Sequence, residues 1–136
     1  MNEILPVEAI TDNIFEIRKQ KVMLDKDLAK LYDVTTSNLN KAVRRNKDRF
    51  PQDFMFRLTK DEYESMVFQI GIPKRGGTRY LPYAFTEQGV SMLSAILNSK
   101  SAVNISIHIM RAFVRLRVML LENDALRYAI EGLEKK

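Results

Sequence analysis

The chain has no cysteine, a single histidine, five glycines and four prolines in 136 residues. Without cysteine there is no disulfide framework, no thiolate metal site and no thiol nucleophile, which fits a reducing cytoplasm. No apolar run approaches the ~18 residues of a membrane span, and the acidic N-terminus does not resemble a signal peptide. Repeats and low-complexity linkers are also missing. The chain therefore reads as one domain over residues 1–121 with a C-terminal helical extension over 122–136. At 46% hydrophobic and 29% charged, it is long enough to bury a core without staples.

Catalytic equipment is equally sparse. His108 lies in an apolar run with no carboxylate near it in sequence, the setting of a packed residue rather than of a base. The acid groups Asp25/Asp27 and Asp61/Glu62/Glu64 leave a metal-dependent nuclease as an alternative. Acids at helix starts are, however, the ordinary partners of the helix dipole. "GTRYLPY" is not a phosphate loop. The expectation is a protein that is not an enzyme, with no cofactor and no metal site.

What is present is positive charge, and it is clustered. Between Lys41 and Lys60 stand seven basic residues against Asp48 and Asp53, so this window alone carries +5. The other 116 residues balance at 15 basic and 15 acidic. A second cluster, Lys74, Arg75 and Arg79, lies in the acid-free stretch from Ser65 to Thr86. Basic patches on a neutral body are the footprint of a polyanion binder.

Periodicity places the elements. "NIFEIRKQKVML" (13 to 24) predicts two short strands with a turn near Lys19-Gln20. Asp25 is expected to cap a helix of about two turns, and Asp33 to take the left-handed conformation after it. Thr35 or Thr36 caps a second helix running to about Asn46. "FMFRL" (54 to 58) predicts a strand, and Thr59 starts a short helix with Asp61 and Glu62 near its positive end. Gly76-Gly77 has the composition of a hairpin tip. Thr86 caps a helix from Glu87 to about Leu97. Val103, Ile105, Ile107 and Ile109 alternate as in a strand. The apolar pattern continues past Ile109 at spacings of three and four, which favours a helix capped by Ser101.

The stretch "DLAKLYDVTTSNLNKAVRRN" (27 to 46) has the apolar spacing of a helix-turn-helix. Ala29 takes the close-approach position, and Leu28, Tyr32, Val34, Leu39 and Ala42 take the apolar ones. Thr36, Ser37, Asn40, Lys41 and Arg44 are left facing outward, short hydrogen-bonders first and bases after. Such an order suits base edges followed by phosphates. A single-strand or RNA reader would need an exposed aromatic platform, and the aromatics of "FMF" and "YAF" read as core.

Four runs, "VMLDKDLAKLY", "VRRNKDRFPQDFMFRLT", "RYLPYAFTEQGVSML" and "IMRAFVRLR", resemble the phage-derived ORF-six N-terminal domain, a relative of the KilA-N and Bro-N groups. The resemblance covers about residues 10 to 120. It departs at Lys19 and Asp33, where glycine is common in the family. It implies a DNA-binding module of phages and phage-like genes.

The expected fold is α+β: a winged-type helix-turn-helix with short flanking β-strands and hairpins and a C-terminal helix. The expected function is sequence-preferring double-stranded DNA binding in transcriptional or lysogeny-state control, in a nucleoid-associated cytoplasmic protein. Thr36, Ser37 and Asn40 are the candidates for base reading. Lys41, Arg44, Arg45, Lys47 and Arg49 are those for phosphates, with Lys74, Arg75 and Arg79 as a basic wing. A protein-interaction module with a basic surface is the alternative. From Ile109 on, a heptad-like seam of Ile109, Ala112, Leu116, Met119, Leu126, Ile130 and Leu133, with Asn123 at an inner position, predicts a parallel homodimer through the C-terminal helix. The alternative is a single amphipathic helix docked on its own domain, its first part through Leu116 in the core.

Overall fold

The strands are short, and three of them carry runs of neighbouring apolar residues rather than a clean alternation. The computed structural model, which describes residues 7–70 and 81–134, shows why. Strands β1 (Phe15–Ile17), β2 (Gln20–Leu24), β3 (Met55–Arg57) and β4 (Tyr83–Phe85) form one antiparallel sheet in the order β1-β2-β4-β3. Both of its faces are covered, so successive residues are buried in opposite directions. Met23 and Phe85 join the larger core, whereas Val22, Leu24, Phe56 and Ala84 join a smaller one.

Helices take the two faces unequally. α1 (Val7–Thr11), α2 (Asp25–Tyr32), α3 (Thr36–Arg45), α5 (Glu87–Leu97) and α6 (Lys100–Glu134) supply the larger core through residues such as Ile10, Leu28, Leu39, Leu93 and Ile109. Among the described helices, α4 (Lys60–Ile70) covers the other face with Met66, Tyr63 and Val67. The architecture is α+β, six helices and a four-stranded antiparallel sheet among the described residues. β4 pairs with both β2 and β3, so the sheet is not a simple meander. The expected hairpin tip at Gly76-Gly77 and its flanking bases Lys74, Arg75 and Arg79 lie outside the described residues.

Local chemistry explains the joints. The β1–β2 turn falls at Arg18-Lys19, one residue before its expected place, and both residues have positive φ, 56° and 62°. Two left-handed central residues are what a two-residue hairpin matching the strand twist demands. The strain at Arg18, which favours glycine, is offset by its side chain. Its Nε and Nη2 donate to the Glu62 carboxylate at 2.7 and 3.1 Å, and the guanidinium sits 4.2 Å from the Phe56 ring centre. Glu62 also closes a capping box, accepting from the Thr59 backbone N–H at 2.8 Å while its own N–H donates to Thr59 Oγ1 at 3.1 Å. Two caps differ from expectation. Leu24 holds the N-cap position of α2, with Asp25 as first helical residue and its Oδ1 accepting from the Lys26 N–H at 2.8 Å. At α6 the cap is Ser99 rather than Ser101, its Oγ accepting from the Ala102 N–H at 3.0 Å.

The runs "RFPQDFMF" and "YAFTEQG" turn out to be two halves of one contact. Beyond the β3–β4 pairing, Thr86 N–H donates to the Phe54 carbonyl at 3.0 Å and Thr86 Oγ1 donates to the Asp53 carbonyl at 2.7 Å. Gly89, one turn into α5, then lies directly on the Phe54 backbone, where an added Cβ would overlap the carbonyl oxygen. Farther along, α2 is tied to α6 by Tyr32 Oη and Ser106 Oγ, 2.6 Å apart and buried, and burial pushes the Tyr32 phenol up to about 12.

α6 runs unbroken from Lys100 to Glu134, across the expected boundary at 121/122. It is helical throughout, so the alternation at 103–109 reflects two buried and exposed faces rather than a strand. Ile109 and Ala112 of the expected dimer seam are fully buried in the domain's own core, and Leu116 packs against it. From Val118 to Gly132 every side chain is exposed.

Two outcomes follow from these joints. Gly89→Ala should destabilise the fold by about 3 kcal/mol or more, because the obstacle is backbone and cannot rotate away; urea denaturation measures it. The Arg18 hydrogen bonds hold the Glu62 carboxyl down at about 2, below its usual 4.5. Its contribution is therefore present above pH 4.5 and lost as pH falls toward 2, since the unfolded chain takes up the proton first. Solvent reaches the pair, so the effect is about 1 kcal/mol. Thermal scans should show wild type losing its advantage over Glu62→Gln across that window.

Candidate nucleic-acid interface

α3 is positioned by a tight connection. Asp33 ends α2 in the left-handed conformation, φ 59° and ψ 45°, as expected of an aspartate standing in for glycine. Val34 N–H donates to the Ala29 carbonyl at 3.0 Å, and Thr35 caps α3, its side chain accepting from the Asn38 N–H at 3.0 Å. Leu28 and Ala29 of α2 are buried against the larger core with Leu39 and Val43 of α3. Val34, expected among the buried positions, is instead 37% exposed, and Ala42 is half-buried.

With Leu39 and Val43 inward, the opposite side of α3 is fixed by the helical period of about 3.6. Ser37, Asn38, Lys41, Arg44 and Arg45 are exposed there, and no acid interrupts them. A 3₁₀ turn, Lys47–Arg49, continues the basic run, with Lys47, Asp48 and Arg49 all exposed. The expected phosphate ligands Lys41, Arg44, Arg45, Lys47 and Arg49 are thus all exposed.

Thr36 and Asn40 lie to one side, half-buried, in a cleft of about 680 Å³ whose walls include Asp25, Lys26, Arg44 and Arg57. Asn40 Nδ2 donates to Asp25 Oδ2 at 3.0 Å, and among the described residues its buried Oδ1 has no partner. Its amide is engaged between α2 and α3 rather than displayed. Ser37 is displayed, and so is Asn38, which the sequence reasoning passed over. Centring the helical period opposite Leu39 and Val43 finds it. Arg57 was counted in the basic window but given no role. From β3 its guanidinium reaches the same cleft as Arg44, braced by the Leu81 carbonyl at 3.2 Å and the Tyr83 ring at 5.1 Å.

His108 is half-buried on α6, and no group of three or more His, Asp or Glu gathers as a metal site among the described residues. No helix among them is long and apolar enough to cross a membrane.

The fold and this face define a small α+β module that presents one basic helix. The model of the ORF6N domain matches residues 12–96, more than half of the chain, and the protein belongs to the ORF6N domain family. A phage-type DNA-binding or regulatory role is the functional class that accompanies it. No curated protein and no solved structure matches the chain.

Asn40→Ala tests the link between α2 and α3. It removes the donor to a buried carboxylate, and stability should fall by about 1–3 kcal/mol. An unchanged urea midpoint would show that the amide does not hold α3.

Proposed function

We propose that this chain binds double-stranded DNA with sequence preference and acts in phage-type transcriptional or lysogeny-state control. The observation that carries the reading is the acid-free outer face of α3, Ser37, Asn38, Lys41, Arg44 and Arg45, continued by Lys47 and Arg49. At ten residues α3 is about 15 Å long, and its roughly 10–12 Å diameter suits the major groove. In this reading α2, the turn and α3 act as a helix-turn-helix. Ser37 and Asn38 meet base edges with Thr36 at the helix start, and the bases hold phosphates. Asn40 serves by fixing the angle of α3 through Asp25. Arg57 is a further phosphate ligand from the sheet, and Lys74, Arg75 and Arg79 are proposed as a second basic contact. The module works as a binder without catalysis, near the nucleoid, and its partners are duplex DNA and a second copy through α6.

Binding titrations over a salt series test this. Lys41→Ala with Arg44→Ala should weaken all duplexes alike and reduce the salt slope by about one per lost phosphate contact. Asn38→Ala should instead erode preference at one base pair, by ~1–3 kcal/mol. No duplex binding at low salt, or an affinity indifferent to Lys41 and Arg44, would overturn the reading.

A further inference from the structure

α6 has two apolar faces, and among the described residues only one of them is used. The inner face carries Ile105, Ile109, Ala112, Phe113 and Leu116 into the domain core. On the other side Val103, Ile107, Met110, Val114, Val118 and Leu121 follow at spacings of four, three, four, four and three. All but Met110 are exposed, Leu121 by 67%. The stripe continues at the same spacings through the exposed Ala125 and Tyr128. No charged residue stands in it over 26 residues, about seven turns of helix. Such a face is not how a monomer treats solvent. Its proximal part also forms a groove of about 590 Å³ with α5, which contributes only Ser91 and Ser94 to the walls, residues small enough for another helix to come close.

The charges beside the stripe are segregated along the helix. On one flank Arg115 precedes Glu122; on the other Arg117, which holds Glu87 of α5, precedes Asp124, which holds Arg127. When two such helices pair antiparallel, like flanks face each other, and Arg115 stands opposite Glu122 in both directions, while Arg117 and Asp124 are already neutralised within their own chain. When they pair parallel, unlike flanks face at the same height. Arg115 then lies opposite Arg117 and Glu122 opposite Asp124, so no attractive pair forms.

We propose that α6 pairs antiparallel with α6 of a second copy of this chain, the distal half of each helix lying in the α5–α6 groove of the other. Val118 of one copy packs on Leu121 of the other at the two-fold axis, and Val114 packs on Ala125. The domain bodies stand at opposite ends of the helix pair. This face is opposite to the expected seam, whose first residues the core already uses. The contact closes on itself through one shared patch, so it yields a dimer and no filament.

The test needs no DNA, so its failure and that of the DNA reading are separable. Light scattering at micromolar concentration should give about twice the 15.8 kDa of one chain. Val118 is exposed in the single chain, so Val118→Glu should fold with unchanged circular dichroism and weaken the dimer about 100-fold or more. Ile130→Glu, on the opposite side of α6, should leave the dimer intact. Because the chain has no cysteine, direction can be read from single replacements. Leu121→Cys, close to the axis, should form a disulfide-linked dimer on mild oxidation, and Ile107→Cys, far from it, should not. A wild-type monomer at 100-fold higher concentration would end the proposal, a dimer surviving Val118→Glu would move it off this face, and cross-linking through Ile107→Cys would reverse its direction.

Discussion

The contact between Gly89 and the Phe54 carbonyl is the constraint on which the rest of the structure leans. It lets α5 start flush against the end of β3, with Thr86 hydrogen-bonded to the backbone of Asp53 and Phe54 as it caps the helix. That junction places β4 between β2 and β3, so Phe85 reaches the larger core and Ala84 the smaller. α5 in turn packs on α3 and on α6, whose Ile109 and Phe113 are buried in the larger core. A side chain at position 89 would push all of these apart at once. Glycine is needed there for space, with no unusual backbone angle involved.

The placement of α3 shows how a polar contact specifies geometry that apolar packing leaves loose. Leu39 and Val43 give it a buried face, but two buried residues tolerate some rotation about the helix axis. The Asn40 to Asp25 hydrogen bond removes that freedom, at the expense of leaving Asn40 Oδ1 buried with no partner among the described residues. The outer face is thereby held in one orientation. Rigid presentation matters for any helix that must match fixed hydrogen-bonding groups, because a misplaced donor contributes nothing.

α6 obeys a different logic. Its inner face is committed to the core through Leu116, and beyond that point the helix continues with both sides exposed. A helix that is apolar on opposite sides has no single preferred direction of burial. Its sequence periodicity alone cannot tell which side serves the fold and which remains for another surface. The domain body makes that choice, since whichever face meets Tyr32, Leu93 and Phe113's neighbours is consumed first.

Much was legible in the residues. The helix starts at Thr35, Thr59 and Thr86 follow from capping chemistry that acts within four residues. The left-handed Asp33 follows from its place between two amphipathic helices. The runs "VML" and "FMFRL" read as strands and "YAF" as core, while β4 at Tyr83–Phe85 had no strand prediction. The basic window from Lys41 to Lys60 needed only counting, and the ORF6N resemblance rested on contiguous motifs. What only the tertiary structure decided were relations between distant residues: the order β1-β2-β4-β3, the seating of Gly89 on Phe54, the inward turn of Asn40 and the display of Asn38. The same holds for the choice of face on α6. Local sequence encodes hydrogen bonds and periods over a few residues, whereas rotation about a helix axis is fixed by partners 15 to 74 residues away, as with Asp25 for Asn40 and Ser106 for Tyr32.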